Sequence, residues 1–191
     1  MARWTLATAA LATLVALPAA GQQRPILRPT RDLTAEYRVL APGPNGEPQT
    51  RTIRMYWTGH GTRLRLETEG QPDYALVDYA AGRMTMVMLS QKAYAEVTFD
   101  ADHAPGLNIP PGATLDRAGK DTIAGSTCTE WQMKGPQGGG TACITDDGLL
   151  LRIRGEQPGQ AAPMEAVSVA YGAQPASLFA VPAGLRQVAP Q

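Results

Sequence analysis

TRLRLETE, residues 62–69, carries the pattern on which the fold class of this chain turns. Leu64 and Leu66 alternate with Arg63, Arg65 and Glu67, so a period of two places the leucines on one face and the charges on the other. This is the pattern of an antiparallel strand with one face buried. The same alternation recurs on both sides. Asp32 to Leu40 sets Leu33, Ala35, Tyr37 and Val39 against Thr34, Glu36 and Arg38. Thr50 to Thr58 puts Ile53, Met55 and Trp57 on one face. Further short runs follow at Tyr74 to Tyr79, Arg83 to Leu89 and Tyr94 to Phe99, then at Ser126 to Lys134, Thr141 to Asp146, Leu149 to Arg154 and Met164 to Tyr171, with a weak one near Thr114 to Arg117.

Turn residues separate the runs. Asn45-Gly46, the Gly59-His60-Gly61 triplet and Asp147-Gly148 are hairpin signals, the last read as a tight primed turn. About eleven short strands with regular turns predict an all-β sandwich or barrel. No window of a dozen residues has a helical period, and the best helical candidate is a single turn at Pro175 to Phe179. Strands do not alternate with helices, which excludes a dinucleotide-binding architecture.

The 191-residue chain opens with Arg3, an apolar run from Thr5 to Leu17, then Pro18 and the small residues Ala19, Ala20 and Gly21. That is the layout of a cleaved secretory signal, residues 1–21. Residues 22–31 read as an extended lead-in, because Pro25 and Pro29 oppose a helix. Residues 32–191 are expected to form a single β-rich domain. No later stretch is apolar and long enough to span a membrane. The protein is thus expected to be periplasmic or secreted. Its 17 basic and 17 acidic residues leave no electrostatic footprint for nucleic acid as a partner.

An exported chain with two cysteines, Cys128 and Cys143, predicts a disulfide. The cysteines flank GPQGGG, residues 135–140. If the flanking strands pair as a hairpin, the two face each other across it. The glycine run lacks the Lys-Ser/Thr and the helix of a phosphate-binding loop, so a hairpin tip is the expectation.

Four stretches together carry a resemblance: GTRLRLETEGQPDYALVDYAAGRMTMVMLSQKAYAEV (61–97), AGKDTIAGSTCTEWQM (118–133), ACITDDGLLLR (142–152) and PASLFAVPAGL (175–185). They resemble the periplasmic lipoprotein-carrier superfamily, the outer-membrane lipoprotein carriers and related secreted bacterial domains. The resemblance implies an incomplete, half-open antiparallel barrel with a concave apolar face. In the carriers that face holds acyl chains beneath a lid. The carriers close it with substantial helices that have no counterpart in this sequence, where residues 100–113 are the only obvious cover. The resemblance brings over no catalytic residue.

The candidate apolar groove is Leu64, Leu66, Leu76, Met84, Met86 and Met88. The three methionines occupy every second position, so they form one stripe. Such a stripe is open to three readings: gap-filling core, the wall of an adaptable groove, or thioether ligands for Cu(I). Strand neighbours on one face stand about 6.5–7 Å apart at the backbone, which is wide for a single copper ion. No cofactor and no metal site is therefore expected.

Other chemistry is thinner. Asp100, Asp102 and His103 share a loop and have the residue types of an acid/base pair or metal site, but Asp is also an ordinary loop residue. Arg51, Arg54, Arg63 and Arg65 read as a solvated strip balanced by Glu67 and Glu69. Ser126 lacks the strand-to-helix elbow of a hydrolase. The sequence thus predicts a noncatalytic binding or carrier module for a lipid or acylated partner. The alternative is an envelope domain that meets a protein partner without any small ligand. A methionine-based copper binder is the third reading.

Overall fold

The computed structural model describes residues 24–43, 45–100, 113–135, 138–156 and 163–190. The proposed signal, residues 1–21, lies outside them, as do Asp102, His103 and most of the expected covering loop. The strands are β1 (Leu33–Pro42), β2 (Pro48–Thr58), β3 (Arg63–Thr68), β4 (Tyr74–Asp78), β5 (Arg83–Met88), β6 (Ala93–Thr98), β7 (Thr114–Ile123), β8 (Ser126–Gly135), β9 (Gly138–Ile144), β10 (Leu150–Gly155), β11 (Met164–Tyr171) and β12 (Arg186–Val188).

All twelve belong to one sheet, in the order β12-β6-β5-β4-β3-β2-β1-β11-β10-β9-β8-β7. Every pairing is antiparallel except β12 on β6. The sheet does not close on itself, because β12 and β7 remain its two edges. The all-β class expected from the alternation, and the half-open barrel that the resemblance implies, are therefore the observed architecture. Two details differ. The weak strand near residue 114 runs on to Ile123, and the short β12 adds a twelfth strand that three residues are too few to signal.

The sheet curls until its two halves share a core. Leu33, Ala35, Tyr37, Trp57, Leu64 and Val77 from the first half cluster with Ile123, Cys128, Cys143, Leu149, Leu151 and Ala166 from the second. Irregular registers at Glu36/Tyr37 and between Leu150 and Arg152 lie on the strands that join the halves. Such bulges bend a strand and increase its twist. The Tyr37 hydroxyl donates to the Leu150 carbonyl at 2.8 Å, a buried tie across this bend.

The Cys128–Cys143 disulfide forms, with Cα atoms 5.4 Å apart. The cysteines are diagonal rather than opposite, since Cys143 pairs with Glu130 in the ladder. The β9–β10 hairpin also departs from the tight turn expected of Asp147-Gly148. Thr145 and Leu149 close it across three residues, with Gly148 at φ +93°. A three-residue hairpin loop ends in such a left-handed residue. Replacing both cysteines by alanine is expected to lower the unfolding free energy by about 3 kcal/mol, from loop-closure entropy. Urea unfolding of the oxidised protein and the Cys128→Ala/Cys143→Ala variant measures the difference; equal midpoints would rule it out.

The lead-in is packed into the fold. Pro29 is fully buried. Leu27 packs against the buried cluster of Trp131, Met133, Ala142, Ile144, Leu150 and Ile153, while the Arg28 guanidinium lies 4.7 Å from the centroid of the Tyr79 ring. Thr30 N–H donates to the Asp147 carbonyl at 2.8 Å. Two hairpin glycines admit this segment: a Cβ on Gly61 would stand 2.6 Å from the Pro29 carbonyl oxygen, and one on Gly148 2.4 Å from that of Arg28. Residues 28–30 therefore cross one end of the barrel between two turns.

Candidate functional site: the concave apolar face

Side chains of paired residues share a face, so the registers assemble rows across the sheet. One row reads Leu33, Trp57, Leu64, Val77, Met84, Val97 from β1 to β6. The next reads Ala35, Met55, Leu66, Ala75, Met86, Ala95 and ends in Val188 of β12. Neither row contains a polar residue. Both lie on the concave side, where Leu33, Trp57, Leu64 and Val77 meet the second half of the sheet.

Cover is uneven along these rows. Leu33 and Ala35 are wholly buried and Leu64 is 2% exposed, whereas Met86 is 39% and Val97 36% exposed. The concave face is thus closed near β1, while on β5 and β6 it is open at Met86 and Val97, with Ala93 and Ala95 buried beside them. It is also closed at one end. Trp57 stacks on Tyr79 at 5.8 Å, Phe99 meets Tyr79 edge-on at 6.0 Å, and Arg28 caps the group. Burial pushes the Tyr79 phenol up to about 12 despite Arg28 nearby, which lowers it.

Of the six residues expected in a groove, five share this face: Leu64, Leu66, Met84, Met86 and Met88. Leu76 does not. It pairs with Arg65 and Thr85, on the convex side. There Tyr74, Leu76 and Val87 make a separate patch beneath Val181 and Leu185. The covering segment follows β11, includes a 3₁₀ turn at Ala176–Phe179 and returns to the edge as β12. Arg65 fastens it: its guanidinium lies 3.5 Å from the Tyr74 ring centroid and donates to the Leu178 carbonyl at 3.0 Å.

The methionine stripe divides in use. Met84 packs against the core, whereas Met86 faces outward from the open part of the concave side. The cross-strand partners of the three are Val77 and Val97, Ala75 and Ala95, and Ala93. These side chains bring no second soft donor beside any methionine sulfur.

The arginines are not one strip. Arg54, Arg63 and Arg65 lie on the convex face and pair with Glu36, Asp78 and Glu67. The hydrogen bond from Arg54 holds the Glu36 carboxyl below its ordinary range. Arg51 is opposite Val39, on the concave side. Met55, Ala75, Ala95, Val97 and Val188 were outside the expected groove. The alternation of Ala93, Ala95 and Val97 was the available sign for two of them.

The fold of this chain is shared with solved structures. An uncharacterized conserved protein from Thermus thermophilus superposes with a TM-score of 0.56 at 9% identity, over 84% of this chain and 91% of that one. MucB superposes with a TM-score of 0.56 at 13% identity, over 83% of this chain and 60% of its own. This chain thus spans about three fifths of MucB's length. A LolA superfamily protein, NE2245 from Nitrosomonas europaea, is also among the neighbours, with a TM-score of 0.42 at 7% identity over 81% and 92% of the two chains. The likeness to the Thermus thermophilus protein and to MucB, at 9% and 13% identity, is one of fold. Residues 48–150, just over half of the chain, match the model of a family described as "Domain of unknown function (DUF4412)", and the chain belongs to that family. A comparison with curated proteins finds no match.

Proposed function

We propose that this protein is an exported, noncatalytic binding module of the cell envelope. It takes an apolar group, an acyl chain carried by a lipid or by an acylated partner, on the open part of its concave face. The observation that supports this most is the pair of all-apolar rows, buried at β1 and exposed at Met86 and Val97. Contiguous exposed apolar surface marks a binding site on a folded protein. Methionine suits one that must accommodate flexible chains, because its side chain adapts to irregular apolar partners. The periplasmic or secreted location rests on the signal-like residues 1–21. Among the described residues no helix is long and apolar enough to cross a membrane.

A second reading has its own support. One solved structure of MucB holds it in complex with MucA(peri), and that MucB superposes on 83% of this chain with a TM-score of 0.52 at 16% identity. On that reading the same face receives an apolar segment of a protein.

The test is titration of the full chain with a fluorescent fatty-acyl probe, alongside Met86→Glu. Met86 is open, so the variant folds with little loss of stability. A charge set against the acyl chain is expected to weaken the probe by tenfold or more, since desolvating it costs about 1.4 kcal/mol or more. Folded wild-type protein that binds no probe would exclude the acyl reading and leave the protein-partner reading.

A further inference from the structure

The chain holds seven methionines, of which Met1 lies outside the described residues. Met133 is 8% exposed, and Met55, Met84, Met88 and Met164 are half-buried. Among the described methionines Met86 alone is exposed, at 39%. Its place in the ladder gives the reason. Met84 is flanked by the branched side chains of Val77 and Val97, and it packs on the core. Met86 is flanked by Ala75 and Ala95. An alanine ends at its Cβ, so neither neighbour reaches out as far as the thioether. The next residues on the same face of the strand, Met84 and Met88, start about 6.5–7 Å away at the backbone. Met86 thus meets solvent in the open part of the apolar face, diagonally across from Val97, which is 36% exposed.

We propose that Met86 is a site of reversible oxidation, at which a peroxide weakens the hold of the concave face on its apolar ligand. The proposal rests on the acyl-binding reading above and adds its regulation. In the step, a lone pair on the Met86 sulfur attacks one oxygen of hydrogen peroxide. The S–O bond forms, the O–O bond breaks, and the second oxygen takes up the proton and leaves as water. The thioether is oxidised by two electrons to the sulfoxide, and the peroxide is reduced. Thiol-dependent reductases reverse the change. Two thiols are then oxidised to a disulfide, and the sulfoxide oxygen leaves as water. The sulfoxide puts a polar group where a flexible apolar one stood. Its neighbours Ala75, Ala95, Met84, Met88 and Val97 have no side-chain donor for the new oxygen. In the free protein water supplies that donor, so the fold bears little cost. Under an acyl chain water is excluded, and the bound state alone is destabilised.

The experiment treats the full chain with dilute hydrogen peroxide for graded times and maps the sulfoxides by tandem mass spectrometry. Cleavage after Arg83 and Lys92 releases residues 84–92 as one peptide, whose fragment ions separate Met84, Met86 and Met88. Met86 is expected to oxidise several-fold faster than either neighbour, and saturating fatty-acyl probe is expected to slow it. Protein oxidised at Met86 is expected to bind the probe about fivefold or more weakly, the lower end for a polar group buried without its hydrogen bond. Treatment with the two sulfoxide reductases, one for each epimer, is expected to restore the affinity. In Met86→Leu the readout is the ratio of affinities before and after the same peroxide exposure, which is expected to stay near one. Met84 or Met88 oxidising as fast as Met86, unchanged binding by the oxidised protein, or wild-type peroxide sensitivity in Met86→Leu overturns the proposal and leaves the acyl site standing. Reduced wild-type protein that binds no probe removes the acyl site and the regulation with it, while the oxidation rates still show whether Met86 is the reactive methionine.

Discussion

Leu64→Ala is expected to lower the unfolding free energy by about 2–5 kcal/mol, the range for a buried leucine whose cavity the surroundings only partly refill. Leu64 is 2% exposed, between Trp57 and Val77 in the row where both halves of the sheet meet. Its neighbours are held by stacking of Trp57 on Tyr79 and by the lead-in, so collapse into the gap is restricted. Met86→Ala supplies the contrast. Met86 lies on the same face one row away but is 39% exposed, so its truncation is expected to cost less than about 1 kcal/mol. Urea unfolding of the two variants checks both values. Similar losses would mean that the concave face is covered as completely at β5 as at β3, and the proposed site would go with it.

Tyr37→Phe is expected to cost about 1–3 kcal/mol at neutral pH, because the buried Leu150 carbonyl loses its donor and finds no water in its place. The same residue governs the alkaline limit. Burial raises the Tyr37 phenol far above its ordinary value of about 10, with Tyr171 adding to the shift. The folded state therefore keeps a proton that the unfolded state releases. The stabilisation from this group is complete below about pH 10 and falls as pH rises from there towards the folded value, by about 1.4 kcal/mol per pH unit. Tyr79, raised to about 12, contributes a smaller loss in the same direction. Unfolding at pH 8 and at pH 11 should show a shallower alkaline decline in Tyr37→Phe than in wild type. Parallel declines would place the alkaline sensitivity elsewhere.

Both variants probe the seam where the curled sheet meets itself. The seam explains why a protein with an incomplete barrel has a shared core. It also leaves the outer strands β5 and β6 to carry the exposed part of the same apolar rows. Function and stability thus use one face, graded from β1 outward.

The strand class, most strand positions, the partners of the disulfide and the stripe of methionines were all legible in the order of the amino acids. Each of these is a local property: alternation within a strand, turn residues between strands, or a count of two cysteines. Which strands share a face was settled only by their pairing in three dimensions. Leu76 shows why. Its own strand reads Ala75, Leu76, Val77, apolar throughout, so no alternation says which side is inward. Only the register across the β3–β4 turn, Leu66 on Ala75, sends Leu76 to the convex side. A shift of one residue would have reversed it, because side chains alternate with a period of two. The same holds for Arg51, which parts from Arg63 and Arg65 once β2 is paired. The lead-in and the C-terminal cover were illegible for another reason. Their apolar residues Leu27, Pro29, Val181 and Leu185 have no period, and each is covered, Pro29 wholly and the others in part, by a surface that exists only once the sheet has formed.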